Sequence, residues 1–555
     1  LPGFILYKLR ARAGFFYYLF AALFLLLNTT ISSQVAQEWL ARYDGNPSFD
    51  DYASCMTIDG SNNLYIGGGI VTAENNDLVI LKYSPSGQLL WSRTFNGGFS
   101  HWDEAVDILF CPSTSSIIVT GFTEYQNTCF DIVTLKYSLQ GELQWVKIYH
   151  HPGSVSNKPK GLKADGAGNI YLTGFTCQSQ ADFLTIKYDQ NGTLLWADTY
   201  SGIINNSIDE SCGIFISESG NIYITGGSSG NPQNLGSLDF ATIKYSSNGA
   251  RQWIARYDGE VNKNDVPANL VVDSQENVYV AGKSQIDPLN SNYEYIVIKY
   301  NGGGTTEWTD HYRNSSSSEA MALTVDDQNN IYVTGNTTHS SQSTDFITVK
   351  YNPAGERLWL SYFNNMYNNW DIPEAIAVDN QYNVYVTGRG GGFSWLYPDY
   401  NTVKYSSAGI QLWSMNYNAV RGDSPVDIVV DNNYNVYVTG WSTLNEQDIL
   451  TIKYSQLTGI RPVSNEIPMG FELQDNYPNP FNPATHLRFE IPELRFVNLK
   501  IFDALGKNIT TLVNENLKPG RYEVTWDASN YTSGVYFYRL TADNYTDTKR
   551  MILIK

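Results

Sequence analysis

Charge is scarce in this sequence. Of 555 residues, 16% are Asp, Glu, Lys or Arg, against roughly 25% in ordinary soluble domains. What charge there is leans one way, with 36 basic and 55 acidic residues and a net charge of −19. That balance argues against a nucleic-acid partner, since such binding rests on neutralising phosphates with Lys and Arg. Cysteine and histidine are also few. The five cysteines (Cys55, Cys111, Cys129, Cys177, Cys212) show no CxxC spacing, and the six histidines stand nowhere at zinc-ligand spacing from them. No metal site is therefore assigned. Cys129 and Cys177 fall in similar loops of adjacent repeats and form the candidate disulfide pair. Helical periodicity is missing too: no long stretch repeats its apolar residues every 3.6 positions.

One apolar run stands apart. Lys8, Arg10 and Arg12 precede "GFFYYLFAALFLLL" (residues 14–27), and the polar "NTTISSQVAQ" follows. A basic start, an apolar core and a small-residue exit predict a secretory signal over residues 1–33, cut between Thr30 and Ala36. The alternative is an uncleaved anchor, for which the run falls short of the roughly 20 residues a spanning helix needs.

Strand formers are abundant instead: aromatics make up 14% of the chain, with 40 tyrosines, and 45 glycines punctuate it. This composition predicts an all-β protein. A Lys-Tyr pair recurs at Lys82, Lys136, Lys187, Lys244, Lys299, Lys350, Lys404 and Lys453, at spacings of 49 to 57 residues. Five residues before each lysine is an acid, from Asp77 to Asp448; five after the first seven is a glycine, from Gly87 to Gly409. Upstream lies a run such as "AVDNQYNVYVTG" (residues 377–388). A period near 50 with several strands per unit is that of a propeller blade. Each unit parses into strand A ending at an Asp, a tight turn, strand B ("NVYVTG"), strand C ("DFATIKY") and, after a glycine turn, strand D bearing a tryptophan.

The eighth unit breaks the rule. "DILTIKYSQLTGIRPV" (residues 448–463) has Pro462 where the tryptophan should stand, so this copy has no strand D. The spare strand lies before the first unit: "EWLARYDG" (residues 38–45) carries Trp39 and Tyr43 at the right interval and nearly duplicates "WIARYDG" at residues 253–259. The expectation is an eight-bladed β-propeller over residues 34–457, closed by its own N-terminal strand. Closure removes exposed sheet edges. The "DxxTxKY…G…W" and "VDxxGNxYVTG" patterns resemble the SBBP β-propeller repeat family over roughly residues 37–457. That resemblance implies the fold and little about activity. The second unit departs from it, since "DILFCPSTSSIIVTG" lacks the Asp-to-Asn turn and the tyrosine.

After a linker read over residues 458–470, the pattern changes. Alternating apolar residues with turns at 505–506, 519–520 and 533–534 predict a small Ig-like β-sandwich of about seven strands over residues 471–555. This segment resembles the type A C-terminal sorting domain of the Bacteroidota type IX secretion system. The matching residues are "NYPNPFNP" (Asn476, Tyr477, Pro478, Asn479, Pro480, Phe481 and on to Pro483), "DALGK" with Gly506, Gly520, "GVYFYRL" from Gly534, and the end from Lys549. The resemblance implies a signal read by the outer-membrane secretion machinery, with the cargo released or attached to the cell surface and membrane contact only during export.

Chemistry is hard to find. "GGSSG" (residues 226–230) matches GxSxG but ends a strand with no helix to follow, as a nucleophile elbow requires. "RGD" (residues 421–423) is an integrin-type motif whose Asp the repeat supplies anyway. Eight residues before the end of strand A stand Asp51, Asn157, Asp209, Asp265, Ser318, Asp371 and Asp423, with Asp103 or Glu104 in the second unit. Placed in D–A loops, these would ring one mouth of the channel. The ring is either a cation or polar-ligand site or a set of Asx-type bonds fixing the loops, and recurrence favours the second. The strand C acid and lysine read as structural. No catalytic residue and no cofactor is assigned. The leading reading is an exported binding or scaffold module for a glycan or protein. The alternatives are an enzyme at the channel mouth (lyase, hydrolase or quinoprotein-like) and a structural surface-layer component. A quinoprotein would be expected to bring a vicinal cysteine pair, and none is present.

Overall fold

The protein is described by a computed structural model covering residues 35–555, apart from residues 46–48, 74, 99–101, 126–128, 205–207, 231–236, 315–316, 339–342, 366, 368, 393–396, 420, 457–460, 465–467, 494, 518 and 529–530. The signal read at residues 1–33 lies outside that description. Two compact units emerge, one spanning Gln37–Ser455 and one holding Gln456–Lys555. Among the described residues, regular structure is strand apart from one 3₁₀ turn at Pro112–Thr114.

In the larger unit consecutive strands pair antiparallel in the order A, B, C, D. Asp51–Ile58, Leu64–Val71, Asn76–Tyr83 and Leu89–Phe95 form one such sheet, and the pattern recurs along the chain. Two successive units, 103–149 and 156–200, are joined into one eight-stranded sheet by a parallel bridge from Ser156 to Phe130. The result is propeller-like. Asp423–Val430, Val436–Thr443 and Gln447–Gln456 make the last sheet, and Val35–Tyr43 lies beside Gln447–Gln456 as its fourth strand. Both faces of the sheets are buried, as stacked sheets require. One cluster joins Tyr65, Leu78 and Ile80 to Ile108, Val119 and Val133 of the next sheet; another joins Trp39 and Tyr43 to Ile66, Val79 and Tyr437.

The A–B turn explains the "DxxxNxY" spacing. Asp59 Oδ1 accepts the backbone N–H groups of Ser61 (2.8 Å) and Asn63 (2.9 Å), while Oδ2 accepts Asn63 Nδ2 (2.8 Å) and the Tyr65 hydroxyl (2.9 Å). The same four bonds form at Asp165, Asp273, Asp326, Asp379 and Asp431. Burial alone would raise the Asp59 pKa, but the bonds from Asn63, Tyr65 and Ser61 outweigh it and hold the pKa below the usual range. The fourth unit has Ser217 at this position, and the missing carboxylate comes from the next sheet. Glu276 accepts Ser217 Oγ (3.1 Å) and Asn221 Nδ2 (2.8 Å) and pairs with Lys244 (2.9 Å). In the second unit the 3₁₀ turn replaces the Asp turn, with Ser115 in the left-handed region at φ 46°.

The Lys and Trp of the signature act together across the sheet boundary. Lys82 Nζ (2.8 Å) and Trp91 Nε1 (3.2 Å) both donate to the Leu139 carbonyl in the C–D turn of the next unit. Lys136 and Trp145 share Gln190 O, Lys187 and Trp196 share Ser247 O, and Lys299 and Trp308 share Pro353 O. At the closure Lys453 (3.2 Å) and Trp39 (3.0 Å) share Pro85 O, so the N-terminal strand takes the role of strand D. Gly87 shows why that turn needs glycine: its φ is +81°, and a Cβ there would sit 2.7 Å from the Trp39 ring. The glycine of "VTG" has a different cause. A bulge two residues after the ring position of each strand A, as between Pro425 and Asp427, brings a carbonyl against strand B, and a Cβ on Gly440 would meet Ser424 O at 2.1 Å.

The smaller unit has two four-stranded sheets: Arg461–Ser464, Gly520–Asp527, Ala484–Ile491 and Glu472–Leu473 in one, Asn508–Leu517, Arg495–Phe502, Gly534–Ala542 and Tyr545–Leu553 in the other. One core fills both, including Phe489, Val524 and Trp526 from the first and Leu499, Tyr538 and Met551 from the second. Two expectations are corrected. Arg461–Ser464, within the segment read as a linker, is a strand paired with Gly520–Asp527. Cys177 is a free thiol, so it forms no disulfide with Cys129, whose side chain lies outside the description.

Candidate functional site

The ring residues do not stand in loops. Asp51, Asp103, Asp209, Asp265, Ser318, Asp371 and Asp423 each open strand A, and Asn157 is second in Ser156–Ala164. All eight are at most 3% exposed, so they are buried beneath the D–A connections rather than open to a channel mouth. Their carboxylates accept backbone N–H groups from those connections: Gly45 to Asp51 (2.5 Å), Gly97 to Asp103 (2.9 Å), Gly259 to Asp265 (2.6 Å), Asn365 to Asp371 (2.9 Å) and Ala419 to Asp423 (2.6 Å).

Six of the eight ring residues begin a polar row across their sheets, the exceptions being Asp51, which faces Ile70, and Asp371, which faces Gly390. Asp209 lies opposite Ser228, which lies opposite Asp239, and strand D adds Arg256, bonded to Ser228 Oγ (2.7 Å) and Asp239 Oδ2 (3.1 Å). In the last sheet the row is Asp423, Ser442, Asp448 and Arg42. The strand C acid in turn approaches the ring residue of the following sheet. Carboxylate oxygens of Asp239, Asp258 and Asp265 lie within 4.8 Å of one another. In the third unit Asn157 replaces Asp, and its Nδ2 donates to Asp131 at 3.1 Å. Burial, outweighing the hydrogen bonds, pushes Asp51, Asp265 and Asp423 up to about 6 and Asp371 to about 7, and neighbouring carboxylates add to the effect.

The remaining motifs carry no visible chemistry. "GGSSG" closes strand Ile222–Ser229, with both serines fully buried and Ser228 bonded to Arg256. The Asp of "RGD" is Asp423, buried and held by Ala419 N. His150 and His311 each bond a strand C acid, Asp131 (2.7 Å) and Glu294 (2.8 Å), as part of the polar rows. His101 and His339 lie outside the described residues.

An asymmetric feature was not singled out from the sequence. A cavity of about 250 Å³ opens among the A strands, lined by Lys160, Lys163, Asp107, Cys212, Phe215 and Asn269 among others. The signal was available: aligning the eight A strands shows that Lys158, Lys160 and Lys163 are the only basic residues in any of them, and all fall in Ser156–Ala164.

At the C-terminus Asn476 is buried, its Nδ2 donating to Pro478 O (3.0 Å) and Thr485 Oγ1 (2.9 Å), and Phe481 packs on Trp526 with ring centroids 5.5 Å apart. Asn479 Oδ1 accepts Ile552 N (3.0 Å), and Phe481 exchanges backbone bonds with Ile552 and Ile554. Residues 475–555 match the family described as "Secretion system C-terminal sorting domain". The C-terminal segment is a secretion sorting domain. Its motif staples Asn479 and Phe481 to the last strand, Lys549 pairs with Asp475 (2.8 Å), Gly506 turns at φ +79°, and Gly534 opens the strand that partners the last one. Pro480 sits in the stapled stretch, while Tyr477 is 78% exposed.

Residues 252–290 match the SBBP "Beta-propeller repeat". An "Uncharacterized WD repeat-containing protein L264" of Acanthamoeba polyphaga mimivirus is 24% identical over half of this chain, and the chain spans about a quarter of that relative's length. Among solved structures, PorZ, a surface component of the type IX secretion system of Porphyromonas gingivalis, aligns over 91% of this chain and 74% of its own at 12% identity and a TM-score of 0.30. A puromycin hydrolase aligns over 68% of this chain and 57% of its own at 7% identity and 0.41. At these scores neither likeness transfers a site or an activity.

Proposed function

We propose that the protein is an eight-bladed β-propeller carried out of the cell by the type IX machinery and working at or beyond the outer surface as a binding or scaffold module. The sorting domain at residues 475–555 carries the reading. Eight repeats of strands A to C, with Val35–Tyr43 as the eighth strand D, support the blade count. The boundaries we propose are a signal at 1–33, the propeller at 34–457 and an Ig-like sorting domain whose sandwich includes the strand Arg461–Ser464. The ring acids serve as loop fasteners, each tying a D–A connection to its strand. A binding role is favoured over catalysis because the recurring polar groups are engaged in bonds between strands, loops and sheets, with a surface glycan or protein as partner. The test fuses residues 458–555 to a signal-bearing fluorescent protein in a host with the type IX machinery. The fusion is expected outside the outer membrane; retention in the periplasm contradicts the reading.

A further inference from the structure

Eightfold repetition makes departures from it informative. Lys163 stands where other sheets place Thr57, Leu109, Phe215, Val271, Ala377 or Val429, and Lys160 stands where they place Ser54, Val106, Cys212 or Met321. In a chain with a net charge of −19, gathering every A-strand cation on one strand runs against composition. The third lysine, Lys158, lies 4.0 Å from both the Phe122 and Phe130 ring centroids, so its ammonium is engaged by aromatic faces. Lys160 and Lys163 are less engaged, Lys160 having the Phe175 ring centroid at 6.0 Å from its Nζ. Both are exposed, both line the cavity of about 250 Å³, and neither has a salt bridge or hydrogen bond among the described residues.

The rest of the lining is suited to a small polar ligand. Gly161 and Gly213 bring backbone to the wall, closely packed against Ile214 and Asn269, while Phe215 offers a partly buried ring and Asn269 an exposed amide. The nearby carboxylate of Asp107 is already committed, accepting Ile108 N (2.8 Å) and Leu162 N (2.9 Å). A second carboxylate, Asp427, also acts on Lys163, but burial pushes both Asp107 and Asp427 toward the protonated form, so they do not cancel two ammonium groups. The volume is below the roughly 300–1,000 Å³ of pockets for drug-sized molecules, which fits one sugar ring and not a polymer segment.

We infer that this cavity binds a small organic carboxylate of sugar size, a uronic acid in chemical class. Lys160 and Lys163 hold the carboxylate, Asn269 bonds a hydroxyl and Phe215 lies against the ring. The inference rests on the binding reading above and gives it a ligand class. Two sources share this chemistry, the free sugar acid and the uronic-acid end of a surface glycan.

The test is calorimetric titration of the full chain with sodium glucuronate, glucose and a glucuronate-terminated oligosaccharide. Glucuronate is expected to bind at least about tenfold more tightly than glucose, and more weakly as salt is raised. The Lys160→Gln/Lys163→Gln variant is expected to lose that preference while melting as the wild type does. Tighter binding of the oligosaccharide points to a glycan end, and equal binding to the free acid; either supports the site. Equal affinity for glucuronate and glucose, or a variant that binds as the wild type does, overturns it. If the cavity fails while the chain still reaches the cell surface, only the ligand is refuted; if the chain is not exported, the reading beneath it fails as well.

Discussion

The guanidinium of Arg42 lies 2.9 Å from the carboxylate of Asp448, 406 residues along the chain. It also donates to Ser442 O and Oγ, both at 2.8 Å. Arg256 makes the equivalent bonds to Ser228 and Asp239 inside a single repeat. The last sheet is thus completed by a strand from the other end of the chain, using the contacts that each repeat uses within itself.

Removing residues 37–45 is expected to leave strand Gln447–Gln456 as an open edge, which recruits other chains. The melting temperature falls by many degrees and oligomers appear in light scattering. Arg42→Ala alone is milder, costing about 1–3 kcal/mol by leaving Asp448 without its cation. A truncated chain that stays monomeric and equally stable would refute the closure.

Gly87→Ala separates two effects. The left-handed backbone costs about 1–2 kcal/mol for any residue with a Cβ, and at Gly87 the Trp39 ring adds a collision. Gly98 has φ +92° with nothing within 4 Å of its missing Cβ. Denaturant titration should therefore show Gly87→Ala losing clearly more stability than Gly98→Ala. Equal losses would mean that Trp39 does not pack on the turn.

The buried ring acids set a pH dependence. Their folded pKa values, about 6 for Asp51, Asp265 and Asp423 and about 7 for Asp371, lie above the unfolded value of 3.8. Between those limits the native state holds more protons, so stability present at low pH is lost as pH rises toward 7. Glu276 works oppositely: burial would raise its pKa, but Lys244, Ser219 and Asn221 bring it to about 2, so its contribution is lost only as pH falls from 4.5 toward 2. The four ring acids outweigh the single Glu276 at pH 5, so the melting temperature is expected to be highest below about pH 4 and to fall from there toward pH 7. A profile rising steadily to pH 8 would contradict this.

Asp265→Asn should be neutral or stabilising at pH 7.5, since Asn157 already shows an amide facing the acid of the preceding sheet. Asp265→Ala removes the bond to Gly259 and should cost about 0.5–2 kcal/mol. A cation held by Asp239, Asp258 and Asp265 would reverse the first result: Asp265→Asn would destabilise, and chelator would lower the wild-type melting temperature.

Much of this architecture was legible because the signature residues recur at fixed spacing. Lys82, Gly87 and Trp91 announce a unit, and the missing tryptophan at Pro462 points to Trp39. Their partners were hidden, because Leu139 O and the Trp39 ring belong to other repeats and spacing within one repeat says nothing of them. The ring residues were misplaced for a local reason. The bulge between Ala53 and Cys55, repeated in every strand A, interrupts the alternation of period two, so the apolar run seems to begin after Asp51 instead of at it. The substitution of Glu276 for an Asp at position 217 was beyond sequence reading, since it depends on the register of adjacent sheets. Lys160 and Lys163 were readable only by comparing strands position by position.

The most direct test of export follows the full chain and a chain lacking residues 475–555 through fractions of a host with the type IX machinery. The full chain should reach the surface or medium. The shortened chain should accumulate, folded and protease-resistant, in the periplasm. Its appearance outside the cell at the level of the full chain would contradict the account.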